Sequence, residues 1–208
     1  MKTDVALPRR RLAGHLSNVF GFERNEHGHF VFSITGHDLT GAQEIEGLTA
    51  AGFRISDTAI SCLTSTNADS YDRLQRLVPG RQSYVVTLMP TKIFKNDRNR
   101  VTDELRHLGL WHYGYHIPLG GIMPLLRQTV SDKQMAEMGF EYIAAPHVPI
   151  GCSIVHGPAV FASYRDNNES CLGAYIVYPS RDRWKNNGAF AFLVPENWAW
   201  QSNYLPNS

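Results

Sequence analysis

A cysteine lies between two histidines in the segment His147-Val-Pro-Ile-Gly-Cys152-Ser-Ile-Val-His156. A cysteine nucleophile needs a nearby base to form its thiolate, and His147 or His156 could supply that base. If residues 152–156 form a strand, however, Cys152 and His156 lie about 13 Å apart, which is too far for a hydrogen bond. Cysteine is also among the most frequently buried residue types. We therefore keep a small Cys/His-dependent hydrolase or transferase as an alternative function.

Two histidine pairs have spacings that occur in metal sites. His27 and His29 would share a face of a strand, but the next acidic residue is Asp38, which is too distant for the usual carboxylate ligand. His112 and His116 have the spacing of an HExxH zinc site without its glutamate. We expect a solvated turn at the first pair, an aromatic loop at the second, and no metal. The glycine motifs for phosphate and dinucleotide binding are absent as well, so we expect no cofactor.

Aromatic residues are concentrated in loop-like segments, namely Trp111, Tyr113, Tyr115, Trp184, Trp198, Trp200 and Tyr204. Aromatic side chains are enriched at protein interfaces. Because no complete catalytic constellation accompanies them, the leading hypothesis is a non-enzymatic interaction or assembly subunit that binds a protein partner or further copies of itself. The expected binding residues are Trp111, Tyr113 and Tyr115 in the loop and Trp198, Trp200 and Tyr204 in the tail.

Basic residues form a dense run at Lys92, Lys95, Arg98 and Arg100, and a second group at the N-terminus. Both groups could contact phosphates. Runs of charge are more often solvated faces, and Asp97 interrupts this one. A nucleic-acid-associated protein is therefore a further alternative.

The composition limits the class of protein. The chain has 208 residues, a formal net charge of +1 and 43% hydrophobic residues, which excludes wholesale disorder. A net charge near zero gives no global field that would attract nucleic acid or an acidic membrane. The three cysteines are far apart and fit no disulfide or zinc pattern, and no apolar run would span a bilayer. We expect a soluble, cytoplasmic protein that does not bind membranes.

Hydrophobic periodicity predicts the elements that carry these residues. It predicts strands over 30–35 and 83–89, and helices over about 41–51, 56–63, 97–108, 122–130 and 131–138. Beyond residue 140, five strand-like runs are separated by Asn-rich turns that are typical of hairpins. The expected fold is α+β, with a helix-rich N-terminal half that contains a few strands and a mostly antiparallel β-meander in the C-terminal part. We expect a single domain over 1–208, with a soft boundary near 110–121.

Overall fold

The computed structural model describes residues 22–78, 83–151, 158–176, 178 and 180–195. Its strands are β1 (Glu23–Arg24), β2 (Phe30–Thr35), β3 (Arg54–Ile55), β4 (Ser83–Pro90), β5 (Tyr142–Ala144), β6 (Ile150–Gly151), β7 (Pro158–Asp166), β8 (Glu169–Ile176) and β9 (Gly188–Leu193). Within the described residues these nine strands form one mixed sheet in the order β1-β2-β4-β9-β5-β7-β8-β3, with β6 paired to β7.

Helices lie on both faces of this sheet. They are α1 (Gly41–Ala50), α2 (Asp57–Leu63), α3 (Thr102–His107), α4 (Ile122–Thr129) and α5 (Asp132–Glu137). Residues of α1, α2, α4 and α5 belong to a core cluster on one face, and α3 belongs to a smaller cluster on the opposite face. In the parts of the chain that the structure describes, no helix has the length and apolar character needed to cross a bilayer.

The expected arrangement, a helix-rich N-terminal half followed by a mostly antiparallel meander, is wrong. Helix accounts for 33% of the structure and strand for 30%, and α4 and α5 belong to the second half of the chain. The sheet is mixed, because β5 runs parallel to β9 and β3 runs parallel to β8. The last strand, β9, lies between β4 and β5. Local patterns indicate hairpins, but they carry little information about pairing between strands that are distant in sequence.

Short sequence signals determine where elements begin and end. Ser131 and Gln134 form the expected capping box at the start of α5, in which each side chain bonds to the backbone N–H of the other residue. Asn167 and Asn168 join β7 to β8 and have φ values of 46° and 68°. Asparagine tolerates this left-handed region better than most residues, so the pair produces a tight hairpin.

The two faces of the sheet follow from the alternation of side chains along each strand. Phe30, Phe32 and Ile34 of β2 point to the face that carries α1, α2, α4 and α5. Phe190 and Phe192 of β9 point to the opposite face. Because successive side chains point to opposite sides of a strand, β4, β9, β5 and β7 each contribute apolar residues to both clusters. The sheet therefore has a core on each side.

A buried arginine links three elements. The Arg127 side chain is fully buried, and its guanidinium pairs with Asp132 at 2.8 Å and donates to the Val130 carbonyl at 2.9 Å. The guanidinium carbon lies 5.2 Å from the centre of the Phe53 ring. Ser170 of β8 donates to the same aspartate at 2.6 Å. The aspartate therefore holds α4, α5 and β8 together while it compensates a charge that has no access to water.

Candidate ligand-binding groove

A groove lies on the face of the sheet opposite α1, α2, α4 and α5. Tyr142 of β5, Tyr164 of β7 and Tyr175 of β8 project from neighbouring strands on this face. Over β4 and β9 the same face is covered by α3 and the turn that follows it. Over β5, β7 and β8 the tyrosines instead line a cavity of about 410 Å³. This volume lies within the range of small-molecule sites.

Two glycines provide space for the tyrosine rings. Gly188 pairs with Tyr142 across β9 and β5, and a methyl group on Gly188 would collide with the Tyr142 ring. A methyl group on Gly173 would likewise collide with the ring of Tyr164. Each ring therefore lies directly against the backbone of a neighbouring strand, which only glycine allows. The glycines make the groove broad and lined with ring faces.

Trp184 forms the wall of the groove and is held on several sides. Its indole Nε1–H donates to Thr102 Oγ1 at 2.9 Å, and its backbone N–H donates to the Arg100 carbonyl at 2.8 Å. The indole packs edge-on against Phe190, with ring centres 5.1 Å apart, and stacks on Tyr142 at 5.5 Å. The indole is therefore fixed in position before any ligand binds.

The tyrosine hydroxyls are neutral near pH 7. Burial raises the pKa of Tyr142 to about 12, and burial also raises the pKa values of Tyr164 and Tyr175. Tyr142 donates its hydroxyl hydrogen to the Lys185 carbonyl at 2.8 Å. Tyr175 is the most accessible ring, with 41% of the residue exposed. The groove therefore presents aromatic faces and neutral hydroxyls to a ligand.

The rim of the groove is charged and carries Arg165, Arg183, Lys185, Glu141 and Asp182. Asp182 accepts a backbone N–H hydrogen bond within its own turn. Arg183 lies 3.7 Å from Asp97. Within the residues that the structure describes, neither Arg165 nor Lys185 has an acidic partner within ion-pair distance. Arg165 follows Tyr164 in β7 and pairs with Ser170, so its side chain points to the opposite face of the sheet. Lys185 is therefore the cation that the rim offers to a negatively charged group.

Ring faces, together with a cation that has no acidic partner among the described residues, suit one kind of ligand. An aromatic face stacks on another planar ring, and this contact depends little on the exact ring. Lys185 can pair with a carboxylate or phosphate as a mobile point charge. The groove therefore fits a planar ligand that carries negative charge.

The expected aromatic contact residues have different environments. Trp111 is 78% exposed, Tyr113 is half-buried, and Tyr115 is only 1% exposed within the core. The segment Leu108–His112 is a helical turn rather than an irregular loop. Of the three aromatic residues, Trp111 alone presents a large open surface. Trp198, Trp200 and Tyr204 lie outside the described residues.

His27 lies exposed in a turn, as expected, whereas His29 differs from the expected solvated turn. His29 is buried, and its Nδ1 lies 2.8 Å from the Tyr115 hydroxyl, which also accepts a hydrogen bond from Asn25 at 2.8 Å. Burial, with smaller effects from His27 and Arg24, lowers the pKa of His29 to about 4. The neutral ring therefore shares a hydrogen bond with the Tyr115 hydroxyl. No group of three or more metal-binding side chains occurs in the described part of the chain.

The side chain of His147 is buried and hydrogen-bonded to the backbone on both sides of its ring. Its Nδ1 donates to the Val148 carbonyl at 2.7 Å, and its Nε2 accepts the backbone N–H of Phe161 at 2.9 Å. Both ring nitrogens are therefore occupied, which leaves no free nitrogen to act as a general base. Burial is the main reason why the pKa of His147 is lowered to about 4. Cys152 and His156 lie outside the described residues, so the structure does not place them relative to His147.

The predicted basic run lies next to the groove. Lys92, Lys95 and Arg98 are exposed. Arg100 donates from Nε to the Trp184 carbonyl at 3.1 Å and from Nη1 to the Phe94 carbonyl at the same distance. The segment that carries the run therefore continues the wall formed by Trp184.

Sequence reasoning missed three groove residues, Tyr142, Tyr164 and Tyr175. All three fall in segments that were predicted as strands, where aromatic residues are ordinarily read as core. A glycine two residues from a strand tyrosine is a usable signal for such a site. Gly173 and Tyr175 are an example, since they occupy the same face of β8. A glycine within a strand marks a place where another group approaches the backbone closely.

Comparison with known proteins adds no assignment. No protein-family model matches the chain, and no curated protein or solved structure is significantly similar to it.

Proposed function

We propose that this protein is a non-enzymatic binding protein whose groove holds a planar, negatively charged ligand. The observation that carries the proposal is the cluster of four aromatic rings beside Lys185, a cation that lacks an acidic partner among the described residues. Trp184 contacts both Tyr142 and Tyr175, at 5.5 and 6.1 Å between ring centres, and Tyr175 contacts Tyr164 at 5.6 Å. Pockets with an aromatic lining and a few convergent polar groups are the usual form of a ligand site.

The non-enzymatic part of the proposal is supported by the state of the side chains. Trp184 and Tyr142 use their polar atoms in hydrogen bonds to Thr102 and to the Lys185 carbonyl. The raised pKa values of Tyr142, Tyr164 and Tyr175 make these phenols poor bases near pH 7. Stacking and charge pairing, rather than proton transfer, are therefore the interactions that the groove favours.

Assembly with another protein chain is the second candidate function. It is supported by Trp111, because an indole that is 78% exposed is the kind of residue that anchors a protein interface. This candidate makes no use of the groove, so variants of the groove residues separate the two proposals.

Replacing Tyr175 by alanine is expected to weaken ligand binding roughly ten-fold, because one stacking contact contributes about 1–3 kcal/mol. The probes are thymidine monophosphate and naphthalene-2-sulfonate, two unrelated planar anions, titrated in ligand-observed NMR. Tyr178→Ala is the matched control, since Tyr178 is 53% exposed and does not line the groove. The proposal is contradicted if neither probe binds, or if the two variants lose the same affinity.

A further inference from the structure

We infer that the natural ligand of the groove is a single-stranded nucleic acid, which stacks its bases on Tyr175 and Trp184 and lays its backbone along the basic run of residues 92–100. This inference rests on the proposed function and names its ligand. Its basis is the direct junction of the aromatic groove with an exposed basic segment.

The junction is made by backbone contacts. Val101 and Arg183 form an isolated antiparallel bridge. At the adjacent pair of residues, the backbone N–H of Trp184 donates to the Arg100 carbonyl at 2.8 Å. Because residues 97–101 run directly beside residues 183–184, a ligand that leaves the groove past Arg183 meets the basic segment at once. A mononucleotide in the groove would leave that segment unused.

Basic residues outnumber acidic ones in the rim and the run, although the whole chain is almost neutral. The basic residues of the rim and run on this side of the sheet are Lys92, Lys95, Arg98, Arg100, Arg183 and Lys185. The acidic residues are Asp97, Glu141 and Asp182, and two of these three are already engaged, one with Arg183 and one with a backbone N–H. An excess of cations along a continuous path matches the evenly spaced phosphates of a strand.

The aromatic residues favour single strands over duplexes. A base paired inside a helix hides its faces against its neighbours, whereas an unpaired base exposes them for stacking on protein rings. Tyr142, Tyr164 and Tyr175 project from three neighbouring strands, and this arrangement suits an extended chain of bases. Since stacking does not read base edges, we expect weak sequence preference.

The test measures the affinity of the full-length protein for a thymidylate dodecamer by fluorescence anisotropy. An abasic dodecamer is the matched control for charge without rings, and thymidine monophosphate is the control for a ring without a strand. We expect the dodecamer to bind at least ten-fold more tightly than either control. Tyr175→Ala should weaken dodecamer binding roughly ten-fold and Tyr178→Ala should leave it unchanged.

Salt dependence tests the path of the strand. The double variant Lys95→Gln/Arg98→Gln is expected to reduce the slope of log K against log salt by roughly 1–1.5, since each phosphate contact on a single strand contributes about 0.7. The control Arg73→Gln/Lys133→Gln removes one arginine and one lysine that are exposed outside the groove and should leave the slope unchanged.

The outcomes separate the two proposals. If the monophosphate and the sulfonate bind in the groove but the dodecamer binds no more tightly than the monophosphate, the strand inference is wrong and the proposed function stands. If the abasic dodecamer binds as tightly as the thymidylate dodecamer, the contact is to charge alone and the inference also fails. An unchanged salt slope in the Lys95→Gln/Arg98→Gln variant would overturn the proposed path.

Discussion

Acidification from pH 7 to pH 4 is expected to lower the free energy of unfolding by about 6 kcal/mol through His29 and His147. Burial lowers the pKa of each histidine to about 4 in the folded state, against an ordinary value of about 6.5 in the unfolded chain. Between these two values the unfolded chain binds more protons than the folded protein, so stability falls as the pH decreases. Each histidine contributes about 3 kcal/mol to this loss by pH 4. The stability that the two neutral histidines contribute is fully present above about pH 6.5.

His37 opposes this effect. It lies 2.8 Å from the buried carboxylate of Glu44, and this hydrogen bond is the main reason why the pKa of His37 is raised. A raised folded-state pKa gives stability that is present below the unfolded value and is lost as the pH rises through the folded value. The net loss in acid is therefore smaller than the sum for the two buried histidines.

Guanidinium unfolding at several pH values between 7 and 4 measures the loss in acid. The variant His147→Gln is less stable at neutral pH, because a hydrogen bond to the backbone is lost, but its stability should fall only about half as steeply with acidification. His112→Gln changes an exposed histidine and is the matched control. A pH dependence in His147→Gln equal to that of the unmodified protein would contradict the prediction.

Replacing Asp132 by alanine is expected to cost about 3–5 kcal/mol, because the change leaves the buried Arg127 guanidinium without its counter-charge. The same change removes the acceptor of the Ser170 hydroxyl. Natural domains are typically stable by only about 5–15 kcal/mol, so this one substitution should remove much of the margin. Guanidinium unfolding at pH 7 measures the change.

Two variants control for this prediction. Glu137→Ala breaks an exposed pair with Lys133 at 3.9 Å and should change stability by less than about 0.5 kcal/mol. Arg127→Met should cost less than Asp132→Ala, since it removes the buried charge instead of leaving it unpaired. A cost below about 1 kcal/mol for Asp132→Ala would show that Arg127 is solvated or finds another partner.

Local elements were predictable from this sequence because their causes are local. The alternation of Phe30, Phe32 and Ile34 and the capping box at Ser131 are visible in short windows, and both elements appear where they were expected. The order of strands was not predictable, because β9 is inserted beside β4 through pairing between residues about a hundred positions apart. No short-range pattern encodes that pairing, and the meander hypothesis failed for this reason.

The groove was predictable only in part. Trp184 was noted among the aromatic residues of loop-like segments but not among the expected binding residues, and the basic run was noted as a candidate for phosphate contacts. The groove itself is formed by the register of three strands. Tyr142 of β5 pairs with Tyr164 of β7, and Gly188 of β9 pairs with Tyr142 on the other side. A shift of one residue in that register would turn the rings to the other face. The site therefore depends on pairings that become visible only in the folded structure.

The most direct test of the groove as the binding site is the response of two tryptophans to the thymidylate dodecamer. Each indole N–H gives its own signal in a ¹⁵N-correlated NMR spectrum, and Trp184→Phe and Trp111→Phe variants assign the two signals. A base stacked in the groove would change the field at Trp184, whereas Trp111 lies 78% exposed outside the groove lining. We expect the Trp184 signal to shift saturably while the Trp111 signal stays in place. A shift of Trp111 with Trp184 unchanged would place the ligand elsewhere and contradict the proposed site.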